Sequence, residues 1–377
     1  MKVGIDTFDC DSGLSGVGVY ISQLLKRIKP SGDRYELFGW DYDRYNYSAM
    51  APDLEFISQP RLSGKTSKAL WHIYRYPQFA KQRKYDACFF PAAHKQLPQI
   101  SPCPSIGVVH DMAAFWGKWG VREHLGMIIR IGLPRALRRL DRIIAVSRWV
   151  RQELVERMGV RESIVEVVPN GIDTTVFYPR PQNEDSVMHI QPFSFRRPYI
   201  LCVSRLDHPV KNHVRLIQAF NIFKERTRFP HRLVLAGSDS HHVKVIKDAA
   251  ALSRFRGDIF FAGHFPSKNL PELYSGADMA VAPSLYEGGG LGVLEAMASG
   301  VPVACSRSAA LPEVAEHAAL YFDPESPEDM ADRMVTIATN RDAYLECRRA
   351  GLKRAEAFSW ERCAEKTLQI IHETVES

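Results

Sequence analysis

The sequence lacks the signals of several protein classes. Its seven cysteines contain no CxxC pair and are odd in number, which argues against a disulfide framework and favours a reducing compartment. No window of about 18 apolar residues is present, so no membrane-spanning helix is predicted. The first residues, MKVGIDTFDCDSG, have no apolar core and carry early aspartates, which is unlike a signal peptide. We therefore expect a cytoplasmic protein.

Signals for nucleic-acid and metal binding are also missing. The formal net charge is only +6, and there is no zinc-finger spacing, aromatic RNA-binding pattern or long basic tract, so we expect no nucleic-acid partner. The small basic excess suits an ordinary surface, an anionic substrate or a membrane surface. Asp41 and Asp43 form a nominal DxD pair, but we expect them in a surface loop and predict no metal and no cofactor.

Short runs of β-branched and other apolar residues alternate with longer helical patterns, which predicts parallel sheets built from βαβ units. The first series of predicted strands is Lys2–Ile5, Tyr35–Phe38, Ala87–Phe90, Ser105–Val109, Arg142–Val146 and Val165–Val168. The second series is Tyr199–Val203, Arg232–Leu235, Ile259–Phe261, Met279–Ala282, Pro302–Ala304 and Ala319–Phe322. Two series predict an α/β fold with two Rossmann-like, doubly wound parallel-sheet domains.

A proline-rich segment separates the two series. Tyr178–Pro198 holds four prolines and a polar stretch without periodicity, which indicates an interdomain linker. We therefore predict an N-terminal domain at residues 1–178, a linker at 179–198 and a C-terminal domain at 199–358. A final helical segment is predicted at 359–377.

Ligands of doubly wound sheets bind beyond the carboxyl ends of the strands, so candidate residues are sought there, on a crevice that the two domains would share. Gly16 and Gly18 follow the first strand, where glycine lets the backbone approach a ligand or simply permits close helix packing. His110 follows the fourth strand. Its imidazole can donate to a hydroxyl or share charge near neutral pH, or it is a structural histidine held by Asp111.

The second series ends in further candidates. Arg205 and Lys211 follow its first strand, and a planar fork of donors with a mobile cation suits a diphosphate, although a solvated basic loop is the alternative. Gly263 and His264 close a later strand in a turn that can contact a nucleotide base.

The most informative stretch is PSLYEGGGLGVLEAMASG, residues 283–300. Glu287 precedes the glycines, and Glu295 lies about two turns into the helix that they open. A glycine-rich turn at a helix start presents N–H groups to an anion, and carboxylates accept hydrogen bonds from sugar hydroxyls. The alternative is a glycine-rich loop with ordinary surface acids.

Over nearly its whole length the chain resembles the retaining glycosyltransferases of family 4, which have the GT-B fold and carry two glutamates separated by seven residues, usually close to EGFGLPxLEAMASG. The matching residues are Glu287, Gly288, Gly290, Leu291, Leu294, Glu295, Ala296, Met297, Ala298, Ser299 and Gly300. Further matches are Gly16-Val-Gly18, His110-Asp111, Val146-Ser147, Pro169-Asn-Gly-Ile-Asp173, Arg205 with Lys211-Asn212, Gly263, Ala277-Asp278 and Phe358-Ser-Trp360. The chain departs from the pattern at Gly289, where an aromatic residue is common, and at Gly292, where proline is common.

The resemblance implies a role for each of these residues. Arg205 and Lys211 would hold the donor diphosphate. Glu287 would contact the hydroxyls of the donor sugar and Glu295 those of the ribose. The backbone of the glycine turn would assist at the helix start, through Gly288, Gly289, Gly290 and Leu291.

The N-terminal residues and the last helix also receive roles from the resemblance. His110 would touch the sugar near its anomeric centre, and Gly16 would border the diphosphate or the acceptor. We count Glu287, His110, Arg205 and Lys211 as catalytic, and Gly263 and His264 among the donor-binding residues. The final helix would cross back to the N-terminal domain.

The implied reaction is transfer of a hexose with retention, without a metal because Arg205 and Lys211 take its place. We expect mannose from GDP-mannose as the donor, and a saccharide or lipid-linked saccharide acceptor in bacterial polysaccharide or glycoconjugate synthesis. The alternatives are a UDP-sugar donor, a GT-B sugar-nucleotide epimerase, and a non-catalytic scaffold that binds a sugar nucleotide.

A lipid-linked acceptor raises the question of membrane contact. An apolar set (Trp116, Trp119, Met127, Ile128, Ile129, Ile131) and a basic set (Arg130, Arg135, Arg138, Arg139) would form a peripheral surface for the inner face of the plasma membrane. The alternative is core of the N-terminal domain with a solvated basic face.

Overall fold

The computed structural model describes residues 1–11, 15–29, 32–60, 70–115, 127–181, 187–190 and 193–377. The chain divides into two compact units. The N-terminal unit is Met1–Gly171 together with Ser359–Ser377, and the C-terminal unit is Ile172–Phe358.

In the described part of the N-terminal unit, seven strands form one parallel sheet in the order β3-β2-β1-β4-β5-β6-β7. The strands are β1 (Lys2–Asp6), β2 (Arg34–Trp40), β3 (Glu55–Gln59), β4 (Ala87–Phe90), β5 (Ser105–Val109), β6 (Arg142–Ala145) and β7 (Val165–Val167). The helices between them are α1 (Gly16–Leu25), α2 (Arg44–Met50), α3 (Tyr76–Arg83), α4 (Met127–Leu137) and α5 (Arg148–Glu156).

The order of strands in this sheet reverses between β1 and β4, which makes the carboxyl ends of these two strands the switch point where ligands of such sheets bind. The central strands β4 and β5 are buried along their whole length, as continuous apolar strands covered on both faces should be. Just beyond the switch point, α1 begins at Gly16, and its start is capped by the Ser15 hydroxyl, which accepts from Gly18 N at 3.3 Å.

In the described part of the C-terminal unit, six parallel strands repeat the same topology, in the order β12-β11-β10-β13-β14-β15. After the pair β8 (Val187–Ile190) and β9 (Phe193–Arg196), the strands are β10 (Tyr199–Val203), β11 (Arg232–Ala236), β12 (Ile259–Gly263), β13 (Met279–Ala282), β14 (Val303–Ser306) and β15 (Leu320–Phe322). The helices are α6 (His213–Thr227), α7 (Val243–Leu252), α8 (Leu270–Ser275), α9 (Leu291–Ala298), α10 (Leu311–Ala315), α11 (Pro327–Thr339) and α12 (Arg341–Ala355).

The structure corrects the predicted linker at 179–198. Strands β8 and β9 pair antiparallel inside this stretch, and Ile190, Met188 and Phe193 pack against the core of the C-terminal unit. The boundary between the units lies at Gly171 instead. The prolines and the polar stretch obscured a short alternating pattern, whose apolar side chains are held by the domain core.

The last helix, α13 (Trp360–Glu376), belongs to the N-terminal unit. The Ser359 hydroxyl caps its start by accepting from the Glu361 and Arg362 N–H groups. On α1, the Tyr20 ring lies edge-on to Trp360, and its hydroxyl is 3.1 Å from the hydroxyl of Thr367. The expected α/β fold of two Rossmann-like units is therefore confirmed, and the segment at 359–377 completes the first of them.

Candidate active site

The sheet of the C-terminal unit has its switch point between β10 and β13. Arg205 and Lys211 lie in the segment that follows β10, and Glu287 lies in the turn that follows β13. Because neighbouring parallel strands end at the same edge of a sheet, these two segments meet there. The strand order thus places three of the predicted site residues at one end of the unit.

Lys211 and Glu287 form an ion pair at this edge, with Lys211 Nζ 2.6 Å from Glu287 Oε2. The two segments are also joined by backbone, since Leu285 N donates to Val210 O at 2.8 Å. The buried Asn212 side chain donates to Pro283 O at 3.0 Å and to Pro324 O at 2.8 Å. The pair therefore stands on an ordered frame, and its partly exposed carboxylate and ammonium can both turn to a ligand.

The glycine turn between Glu287 and α9 has one position that requires glycine. Gly290 caps α9 with a φ of +60°, and a Cβ there would lie 3.1 Å from Val314. An L side chain is strained in this conformation, and here it would also be crowded. Ala310 N donates to Glu287 O at 3.1 Å and fixes the start of the turn. The N-terminus of α9, which attracts anions, is thus presented beside Lys211.

Glu295 lies on α9, where Oε2 accepts a hydrogen bond from the Tyr274 hydroxyl at 2.9 Å. Burial raises the pKa of Glu295 to about 7, against the hydrogen bond from Tyr274, which lowers it. A carboxylate in this position can accept hydrogen bonds from hydroxyl groups, and near neutral pH it is close to the midpoint of its titration. Tyr274 was not among the predicted site residues, because the sequence does not show where the hydroxyl of this residue on α8 points.

The remaining predicted residues of this unit are less closely gathered. Arg205 is exposed beyond the end of β10, and its guanidinium has no hydrogen bond or ion pair to the described residues. Gly263 ends β12, the edge strand, with a φ of +63°, and His264 beyond it is exposed. Strand β12 is separated from β10 by β11, so these two residues flank the site, apart from the Lys211–Glu287 pair.

His110 follows β5 in the N-terminal unit and is buried. Its Nε2 is 3.0 Å from Pro91 O, and burial lowers its pKa to about 3. Since a carbonyl oxygen only accepts, Nε2 carries the proton and Nδ1 is the acceptor of a neutral ring. The expectation that His110 shares charge near neutral pH is therefore wrong. His110 is thus held by the Pro91 carbonyl and not by the side chain of Asp111, which accepts a hydrogen bond from Ala113 N.

Gly16 starts α1, and a Cβ at this position would have no heavy atom of the described residues within 4 Å. Space at the amino end of a helix leaves room for a ligand, and Gly13, three residues earlier, lies outside the described residues. Asp41–Asp43, the nominal DxD pair, forms a single 3₁₀ turn directly after β2 with Asp43 buried. Within the described ranges no cluster of His, Cys, Asp and Glu has the geometry of a metal site.

The predicted membrane surface is only partly described. Trp116 and Trp119 and the side chains of residues 127–130 lie outside the described residues. Ile131, Arg135 and Arg138 are exposed. Arg138 donates to Met158 O at 3.0 Å, so its guanidinium also serves the unit's own backbone. Across the described ranges, no helix is both long and apolar enough to span a bilayer.

Comparison with known proteins places this geometry in a family. Residues 186–354 match the family model described as glycosyl transferases group 1, and residues 14–176 match that of glycosyltransferase family 4. The O-antigen chain mannosyltransferase B of Escherichia coli is 36% identical over 98% of both chains. The MMP α-(1→4)-mannosyltransferase of Mycolicibacterium hassiacum is 26% identical over 70% of this chain and 61% of that protein.

A solved structure of sucrose-phosphate synthase from Thermosynechococcus elongatus superimposes with a TM-score of 0.78 and 20% identity, over 99% of this chain and 98% of that one. This likeness shows the fold, while the E. coli relative shows the family. The chain therefore belongs to the family 4 glycosyltransferases of GT-B fold, among relatives that include mannosyltransferases.

Proposed function

We propose that this glycosyltransferase moves mannose from GDP-mannose, with retention, to a saccharide or lipid-linked saccharide in the synthesis of a bacterial polysaccharide or glycoconjugate. The observation that carries the proposal is the Lys211–Glu287 pair beside the N-terminus of α9, with Glu295 on the same helix. Cation, helix start and two carboxylates together match a diphosphate flanked by two sets of hydroxyls. The similarity to mannosyltransferases supports mannose as the sugar.

The diphosphate would be bound by Arg205, Lys211 and the amino end of α9. Arg205 is exposed, and among the described residues the Lys211 ammonium is paired with Glu287 alone, so one contact has to break before it can bind phosphate. As the donor enters, Lys211 would turn to the phosphate oxygens and Glu287 to the sugar hydroxyls. Charge that develops on the leaving diphosphate would thus meet preorganised donors. We propose that these groups take the place of a metal, which undiminished transfer in EDTA would support.

Retention would follow a front-face substitution. The bond from the anomeric carbon to the diphosphate oxygen breaks, and the acceptor oxygen bonds to the same face of that carbon. The acceptor proton passes to the departing diphosphate, and no protein nucleophile is assigned. His110, which is neutral with its Nε2 proton bound to Pro91 O, would act as an acceptor toward the sugar through Nδ1.

We also propose a cytoplasmic enzyme that contacts the inner face of the membrane when its acceptor is lipid-linked. The exposed Ile131, Arg135 and Arg138 follow one another at helical spacing along α4 and just after it. Co-sedimentation with vesicles of anionic lipid tests this contact. Binding that falls with salt supports it, and binding absent at low salt rejects it.

A thermal-shift screen with GDP, UDP, GDP-mannose and UDP-glucose is the first test of the donor. A ligand that binds only the folded state raises the melting temperature by mass action. GDP-mannose should raise the melting temperature most, whereas a rise with UDP-glucose alone would show that the donor is a UDP-sugar and not GDP-mannose.

Incubation with GDP-mannose and octyl α-mannoside, analysed by NMR, then tests the reaction. An α-linked product supports retention, and a β-linked product overturns it. Conversion of GDP-mannose to another sugar nucleotide without acceptor would indicate an epimerase. Binding of GDP-mannose without any turnover would indicate a scaffold.

A further inference from the structure

Glu295 is held by a side chain that lies outside the glycine-turn motif. The Tyr274 hydroxyl donates to Glu295 Oε2 at 2.9 Å, across the face of α9. Tyr274 itself is 1% exposed, so its ring is part of the core and only its hydroxyl takes part in the site. Burial holds the pKa of this hydroxyl far above its usual value, so it stays a donor throughout the neutral range.

The helix that carries Tyr274 is fixed from behind. The Tyr199 hydroxyl, from β10, donates to Leu273 O at 2.6 Å. The ring of Phe177 meets Tyr274 edge-on, with centroids 6.0 Å apart. The position of the Tyr274 hydroxyl is therefore set by core packing, and Glu295 is the group that adapts to it.

Gly292 completes the arrangement. It lies three residues before Glu295, on the same face of α9. A Cβ at this position would lie 3.3 Å from Tyr274 Oη and 3.5 Å from Val203 O. The first distance is tighter than ordinary contact, so a side chain here would require the hydroxyl to shift by a few tenths of an ångström. The glycine that replaces the usual proline thus leaves the space in which the hydroxyl reaches Glu295.

We propose that Tyr274 is a positioning residue for nucleotide binding, which holds the Glu295 carboxylate toward the ribose in the space that Gly292 provides. The inference rests on the proposed role of Glu295 at the ribose. A carboxylate has about four acceptor positions. Tyr274 occupies one on Oε2 and leaves the others for two vicinal hydroxyls, which need a fixed carboxylate rather than a rotating one.

The charge state of Glu295 is consistent with this role. Burial raises its pKa to about 7, and the bond from Tyr274 is what opposes that rise. The other titratable groups that act on the Tyr274 hydroxyl are Cys202 and Glu287, the latter paired to Lys211. Without the hydroxyl, Glu295 should be protonated over a larger part of the neutral range.

The test compares binding of GDP with binding of 2′,3′-dideoxy-GDP by calorimetry in the full-length protein. The dissociation constant of 2′,3′-dideoxy-GDP divided by that of GDP reports contacts to the ribose hydroxyls, and it is well above one when those contacts are made. We expect Tyr274→Phe to lower this ratio about tenfold, since one hydrogen bond to a charged group no longer fixes the acceptor. Tyr76→Phe is the matched control, because it removes the hydroxyl of another buried tyrosine, which is 2.9 Å from Ser101 Oγ and lies on α3 of the N-terminal unit, and it leaves the helix that carries Tyr274 untouched. It should leave the ratio unchanged.

Gly292→Ala provides a second readout that lost stability alone would not reproduce. In the wild-type background the added Cβ should lower the ratio as well. In the Y274F background the oxygen that it crowds is absent, so it should have little further effect. Such non-additivity shows that the two residues act through one contact.

The ratio in the wild-type protein separates a failure of the proposed function from a failure of the role proposed for Tyr274. A wild-type ratio near one overturns both this inference and the assignment of Glu295 to the ribose. A large wild-type ratio that persists in Tyr274→Phe overturns the inference alone and leaves the proposed function standing. Additive effects of Tyr274→Phe and Gly292→Ala would also overturn the proposed link between the two residues.

Discussion

Replacing Lys211 with alanine should separate catalysis from stability. In the free protein Lys211 Nζ lies 2.6 Å from Glu287 Oε2, and the two side chains are 17% and 27% exposed. A partly solvated pair of this kind contributes about 1 kcal/mol or less to folding. That corresponds to a fall in the melting temperature of about 2–4 °C for a unit of this size.

The loss in turnover should be much larger. If Lys211 meets the charge that develops on the leaving diphosphate, its removal resembles the loss of one preorganised donor, which costs about 10²–10³-fold in kcat. The measurement is release of GDP from GDP-mannose with octyl α-mannoside as acceptor, at saturating donor, beside a thermal melt of the same preparation.

Lys247→Ala is the matched control for this experiment. Lys247 forms an ion pair of the same length with Asp239, at 2.6 Å, but on the exposed surface of the same unit. Its removal should leave turnover unchanged. Turnover within fivefold of wild type in Lys211→Ala, with an intact fold, would refute the role assigned to Lys211. An equal loss in Lys247→Ala would show that the effect is not local.

Three further predictions concern binding, strand packing and the glycine turn. The pKa of Glu295 lies above its ordinary value, at about 7, so the folded state binds this proton more tightly than the unfolded chain, and the contribution of Glu295 to stability falls as pH rises toward 7. Affinity for GDP should instead weaken as pH falls below about 7, because the carboxylate that accepts from the ribose becomes protonated. In calorimetric titrations, Glu295→Gln should weaken GDP binding and remove this pH dependence. Glu36 is fully buried on β2 and forms ion pairs with three cations. Changing it to alanine should lower the free energy of unfolding, measured in urea, by about 2–4 kcal/mol and leave the affinity for GDP unaltered. Gly290→Ala should lower stability by about 1–2 kcal/mol and weaken GDP binding, because φ is +60°, whereas Gly257→Ala, at an open position, should do neither.

Much of the parallel-sheet framework follows from sequence alone. The strands Ala87–Phe90, Ser105–Val109, Tyr199–Val203 and Met279–Ala282 have the predicted bounds, because buried central strands form uninterrupted apolar runs. Strand β3, Glu55–Gln59, was not predicted. It lies at the sheet edge, none of its five residues is fully buried, and its mixed composition has no such run.

The site could be predicted in outline only. The glycine turn and its two glutamates identify the family, so Lys211 and Glu287 were both expected near the donor. Their direct pairing could not be foreseen, since it depends on strands β10 and β13 being neighbours. The same holds for His110, whose neutral state follows from burial and whose Nε2 proton is held by a carbonyl of another loop, and for Tyr274, whose hydroxyl is aimed by its packing.

Binding of GDP-mannose to the wild-type protein, Lys211→Ala and Glu295→Gln tests the central claim most directly. Calorimetric titration should show that the wild-type protein binds GDP-mannose and that each variant binds it at least about tenfold more weakly, as expected when a contact to a charged group is removed. The three proteins should keep the same fold by circular dichroism. Binding of equal strength in all three would contradict the site described here, and a wild-type protein that binds UDP-glucose but not GDP-mannose would contradict the proposed donor.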